Sequence, residues 1–230
     1  MVTTTSDNLE FSANGGTATG YVAAPASGGP YPGVVVIQEW WGLNDNIRDI
    51  ANRVAAEGYV ALAPDLYHGE VAQEPDLAQK LMMSLVQEQA VQDMNGAVAA
   101  LQARDDVIAG QIGVTGFCMG GGLSLLLAMK NPVIQACAPF YGVPMGDLAE
   151  CREIKGAVLG IYAGLDGFVT QEYVDQVQAA LDTADVPNDI IVYPDADHGF
   201  FNDTSDAHKA DDAEDAWGKL KTFFNMNLKR

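Results

Sequence analysis

Cysteine, histidine and positive charge are all scarce in this chain of 230 residues, and each scarcity excludes something. The three cysteines, Cys118, Cys137 and Cys151, have no paired spacing, which argues against a disulfide framework or a zinc site. Twelve lysines and arginines face 31 aspartates and glutamates, a net charge of −19 that repels nucleic acid and anionic membrane surfaces. No uninterrupted apolar run reaches membrane-spanning length. Residues 1–7 carry neither the basic region nor the apolar core of a secretory signal, so a reducing cytoplasm is the expected location. No Pro/Ser/Gly-rich linker divides the middle of the chain and no internal repeat is evident. With 48% hydrophobic residues, one domain over 1–230 can bury roughly 70–75% of its unfolded surface without a metal or disulfide staple.

What is present centres on Thr115-Gly116-Phe117-Cys118-Met119-Gly120-Gly121. Gln111–Val114 before it has the character of a buried strand, and Gly122–Met129 after it that of a buried helix. The pattern is strand, sharp turn, helix, with glycines two residues to either side of a cysteine: G-x-C-x-G, a nucleophile elbow with sulfur in place of a serine oxygen. A turn that tight needs residues without a Cβ where backbones approach. A thiol attacks only as thiolate, and a helix N-terminus favours that anion. The N–H of Met119 is placed to donate to an oxyanion. Glycine-rich turns also cradle phosphates, but Phe117-Cys118 occupy the place of the second glycine of a dinucleotide fingerprint, and no Gly-Lys-Ser/Thr follows.

The rest of the chain alternates between two periods. Leu9–Phe11 and Thr17–Ala23, separated by Asn14-Gly15-Gly16, read as a hairpin, and 24–32 as a surface loop. Gly33–Gln38 is a β-branched run suited to a strand buried on both faces. A helix from Asn44 or Asp45 to Gly58 follows, then a strand at Tyr59–Ala63 and a long helical stretch over Pro75–Ala103. Strands at Val133–Tyr141, Ala157–Tyr162 and Asp189–Tyr193 and helices at Gln171–Asp182 and Asp206–Asn225 complete the order. The implied fold is α/β, a mostly parallel sheet with helices on both faces, with ligands at the carboxyl ends of the strands.

Three loops at those ends carry titratable residues: the elbow with Cys118, then Gly164-Leu165-Asp166-Gly167, then Asp197-His198-Gly199-Phe200. Nucleophile, acid, base is the chain order of a triad built on an α/β-hydrolase sheet. His198 is the expected base, and Asp166 the group that orients it. His68 and His208 are read as surface residues. Asp195, Asp197, His198 and Asp203 make an oxygen-rich cluster, but with no second cluster or EF-hand spacing, no metal is expected.

Gln38-Glu39-Trp40-Trp41-Gly42-Leu43-Asn44, Ala63-Pro64-Asp65-Leu66-Tyr67, Gly116-Phe117-Cys118-Met119-Gly120-Gly121, Phe140-Tyr141-Gly142, Gly164-Leu165-Asp166 and His198-Gly199-Phe200 together resemble the dienelactone hydrolase family of α/β-hydrolases. The resemblance implies cofactor-free hydrolysis of a small-molecule ester or lactone through an acyl-cysteine. It also implies Glu39 beside the thiol, the N–H of Trp40 as a second oxyanion donor, and Trp41 and Tyr141 lining the substrate pocket. A monomer is favoured. One departure stands out. The family's carboxylate-binding arginine, four residues after the catalytic histidine, is Asn202 here, so a neutral substrate is expected unless Lys80, His68 or Arg48 reaches the pocket. A general esterase or thioesterase, and a thiol sensor on the same fold, are the rival readings.

Overall fold

In the computed structural model, which describes residues 3–229, eight strands form one sheet flanked by six helices. The hairpin is present: strands β1 (Thr4–Ala13) and β2 (Gly16–Pro25) pair antiparallel. Their turn places Asn14 and Gly15 both at positive φ, the conformation that Asn-Gly favours in tight hairpins. Strand β3 (Tyr31–Ile37) leads to helix α1 (Asp45–Ala56), whose first turn is capped by Asn44 accepting from the Ile47 N–H. Then come β4 (Val60–Pro64), α2 (Pro75–Ser84) and α3 (Gln87–Gln102). The elbow joins β5 (Val107–Phe117) to α4 (Met119–Lys130), followed by β6 (Ile134–Phe140), β7 (Ala157–Ala163), α5 (Gln171–Thr183), β8 (Asn188–Tyr193) and α6 (Ala210–Leu228).

The strand order is β1-β2-β4-β3-β5-β6-β7-β8, parallel from β4 through β8. From β3 the chain passes first to β4 on one side, then returns across the sheet to β5 on the other. Right-handed crossovers in opposite directions put α1 on one face and α3 and α4 on the other. Helix α6 joins α1, with Arg53 lying 4.4 Å over the Trp217 ring. The reversal opens a crevice beyond the carboxyl ends of β3 and β5, where such sheets bind ligands. Glu39 and Cys118 follow those two strands.

Three expectations need correction. The long helix over Pro75–Ala103 is two helices, because Leu85 and Val86 are extended. Ser84 Oγ donates back to the Leu81 carbonyl, and beyond the break α3 buries a full face whereas α2 buries Ala78 alone. The last helix begins at Ala210 rather than Asp206, because the Phe200 carbonyl oxygen accepts from the Lys209 N–H and lies 3.1 Å from His208 Nδ1, holding this segment in a turn. At the elbow, strand and helix reach much closer to Cys118 than composition suggested, leaving a one-residue turn. That is sterically feasible because a Cβ on Gly116 would overlap the Gly120 carbonyl, and one on Gly120 would overlap the carbonyls of Ile37 and Gln38.

Gly120→Ala should therefore cost about 3 kcal/mol, the upper end of overpacking penalties. For a chain of this size that is a fall in Tm of roughly 6–12 °C, measurable by thermal unfolding. An unchanged Tm would mean that α4 can move off β3.

Candidate active site

Cys118 caps α4 with φ 56° and ψ −117°, a conformation a side chain rarely adopts. Its backbone is held from three sides. The Cys118 N–H donates to the Phe140 carbonyl at 3.1 Å, and the Cys118 carbonyl accepts from Gly121, Gly122 and Val143. The strained turn is thus tied to the end of β6 as well as to its own helix. Only 8% of the residue is exposed, and it opens onto a cavity of about 690 Å³.

His198 reaches the thiol from the loop after β8. Its Nδ1 lies 2.7 Å from Asp166 Oδ2, and the ring shares a hydrogen bond with Cys118. Asp166 is itself fixed: Oδ1 accepts from the N–H groups of Phe168 and Val169, and its side chain has no exposure. With Nδ1 on the carboxylate, Nε2 is the nitrogen left for sulfur. Tyr141 and Phe168 stand edge-on to the imidazole, at 5.0 and 5.3 Å between centroids. Burial works against the imidazolium, but hydrogen bonds and negative charge from Asp166 and Cys118 outweigh it and lift His198 to about 10.

Glu39, from the loop after β3, is 5% exposed beside the same cavity. Oε2 accepts from Asn202 Nδ2 at 2.8 Å and Oε1 from the Tyr141 hydroxyl at 3.3 Å. Burial pushes its carboxyl above the ordinary range, and Asn202, His198 and Tyr141 offset part of that. Tyr141 therefore lies elsewhere than expected. Fully buried at the end of β6, it stands behind Glu39 rather than lining the pocket, because its positive φ of 36° turns it out of the strand line.

Trp40, Trp41, Met82, Val143 and Phe168 line an apolar side of the cavity, and Asn44, Asn46, Thr204 and Ser205 a polar one. Among the described residues, no acceptor lies on the amides of Trp40 or Met119. The lining contains no lysine or arginine. Lys80 is not part of it, Arg48 lies over the Tyr21 ring and donates to Asn8, and the exposed His68 is 3.4 Å from Asp93. His208 is half-buried rather than at the surface, held against Phe200. Among the described residues, no group of three or more His, Cys, Asp or Glu is disposed to hold a metal, and no helix is long and apolar enough to cross a membrane.

Sequence reasoning missed two features. Phe168 is 77% exposed at the mouth of the cavity, and its place two residues after Asp166 was the available signal. The sequence marks Asn202 only as the place of an absent arginine; its bond to Glu39 has no signal there.

An eight-stranded, mostly parallel sheet with a nucleophile elbow at its switch point defines an α/β-hydrolase. The sequence model of the "Dienelactone hydrolase family" matches residues 18–228. The chain belongs to the dienelactone hydrolase family. "Protein usf" of Aquifex pyrophilus is 38% identical, covering 96% of this chain and 98% of its own. A "Putative carboxymethylenebutenolidase" of Methylorubrum extorquens is 33% identical over 92% of this chain and 77% of its own. The solved structure of a "Putative Dienelactone Hydrolase" from Klebsiella pneumoniae superposes with a TM-score of 0.89 at 30% identity, covering 96% of this chain and 98% of that one.

The His198 imidazole should titrate near 10 by NMR, well above its ordinary 6.5, and fall back toward that value in Asp166→Asn. Because the folded value is raised, the pair's stabilisation is fully present below about pH 6.5 and is lost as pH rises through about 10. A ring titrating near 6.5 in the wild type would contradict the hydrogen-bonded arrangement.

Proposed function

We propose that this protein is a cysteine-dependent hydrolase of small, uncharged esters or lactones, acting through an acyl-cysteine. The observation that carries the reading is the convergence of Cys118, His198 and Glu39 on one cavity free of lysine and arginine, with Asp166 holding His198 from behind.

The chemistry follows from the positions. Asp166 favours the imidazolium form of His198, which makes it a poorer base than the sequence suggests, so Glu39, whose burial makes it a better acceptor than an ordinary carboxylate, takes the proton of the thiol in its place. The sulfur attacks the substrate carbonyl, a C–S bond forms, and the oxyanion is met by the N–H groups of Trp40 and Met119. Collapse breaks the C–O bond, and His198 gives its proton to the leaving alkoxide; in a lactone that alkoxide stays on the acyl chain. The neutral imidazole then takes a proton from water, hydroxide attacks the acyl-cysteine, the C–S bond breaks as the acid leaves, and Glu39 returns its proton to the sulfur, restoring thiol, imidazolium and carboxylate. Asp166 holds the ring throughout.

The rival esterase reading differs in substrate rather than chemistry, and kinetics on a lactone against matched open-chain esters separates them. A thiol sensor needs no such set of groups around its cysteine.

Cys118→Ala should abolish hydrolysis with the fold intact. Cys118→Ser should be far weaker than wild type, because a hydroxyl needs a stronger base than Glu39. Retained activity in Cys118→Ala, assayed on short acyl esters, would remove the nucleophile.

Charge selectivity gives an independent test. Losing a charge-assisted bond to a partly buried carboxylate costs roughly 2–5 kcal/mol, or about 30- to several thousand-fold in affinity. A carboxylate-bearing dienelactone should therefore have a lower kcat/KM than its methyl ester. Preference for the free carboxylate, weakening with salt, would reveal a cationic partner.

A further inference from the structure

We propose that Asn202 is a positioning residue: its side-chain amide, locked in one orientation by Thr204, holds Glu39 as the carboxylate that accepts the Cys118 proton. The inference rests on the proton-acceptor role of Glu39 given above and assigns what controls it.

Both ends of the Asn202 amide are committed. Oδ1 accepts from the Thr204 N–H at 2.9 Å and from Thr204 Oγ1 at 2.7 Å, so the NH₂ group can only face the other way. There Nδ2 donates to Glu39 Oε2 at 2.8 Å. The backbone is fixed as well, with the Asn202 N–H donating to the Gly199 carbonyl and its own carbonyl accepting from the Ser205 N–H. The residue is 5% exposed, so water does not compete freely for the amide.

The groups facing Glu39 define what the amide must do. Tyr141 faces it from the end of β6, Cys118 from the elbow and His198 from the loop after β8, while Asp45 of α1 lies at the cavity rim. Of these only His198 carries positive charge, and it is already engaged by Asp166. A buried carboxylate with no cation of its own drifts toward its neutral form, which cannot accept a proton. Hydrogen bonds to the charged form oppose that drift, and Asn202 supplies the shorter of the two. A neutral donor does this without cancelling the charge, so Glu39 stays basic; a guanidinium here would hold the carboxylate more firmly and lower its basicity.

The test uses the pH profile of Cys118 alkylation by iodoacetamide, a readout that needs no substrate. Asn202→Asp is nearly isosteric and keeps an oxygen for Thr204, so the loop is retained. Its second oxygen meets Glu39 Oε2, and two carboxylates at hydrogen-bond distance share a proton to higher pH. The acid limb of alkylation should move up by about one to two pH units, a roughly 10- to 100-fold loss of rate below it. Thr204→Val, which removes one of the two bonds orienting the amide, should move the limb the same way by less. In Glu39→Gln the limb should be displaced to the ionisation of the thiol without its acceptor, and Asn202→Asp should then add no shift. A limb displaced by Glu39→Gln but unmoved by Asn202→Asp overturns this inference alone. A limb at the same pH in Glu39→Gln as in the wild type overturns the proton-acceptor role, and the inference with it.

Discussion

The backbone of Cys118 at positive φ is the constraint on which the other parts of the site depend. A side chain there is strained by about 1–3 kcal/mol, and the strain persists because β6, α4 and Val143 each hold the same residue by a backbone hydrogen bond. The turn throws the thiol into the crevice opened where the sheet reverses direction. It also forces the close approach of α4 to β3, so the loop carrying Glu39 and Trp40 starts within contact of the elbow. The positions of the Cys118 thiol, Glu39 and the amides of Trp40 and Met119 are thus set by one local conformation and the glycines that make room for it.

Charge is arranged around that turn with economy. The chain carries −19 overall, yet the groups at the thiol are matched: Asp166 stabilises the imidazolium and neutral donors hold Glu39. Phe117 stacks 5.2 Å from Phe201, next to Asn202, so the loop after β8 is anchored by apolar packing directly beneath the elbow. Arg53 lies over the Phe201 ring from α1 and ties that anchor to the opposite helix layer.

The α/β order, the elbow and the three loops bearing Cys118, Asp166 and His198 were legible because each is a local signal: a β-branched run, a glycine pair, a polar residue at the end of an apolar strand. Features that depend on contacts across the sheet were not. The break at Leu85–Val86 is hidden because both residues are apolar and a helix could run through them; only the structure shows that α3 buries a full face while α2 buries Ala78 alone. Tyr141 was expected at the pocket wall, yet its hydroxyl finds Glu39 more than a hundred positions away in the chain. Asn202 is the clearest case. Its identity marks the place of an absent arginine, while its bond to Glu39 joins residues 163 positions apart, a contact that no local pattern announces.

The most direct test of the account is covalent trapping. Protein mixed with a slowly turned-over activated ester, quenched in acid within the first turnover and digested, should carry one acyl group, on the peptide containing Cys118, and the label should be lost to neutral hydroxylamine. Turnover with no acyl adduct on that peptide, or an adduct on another residue, would contradict a mechanism built on the cysteine at the elbow.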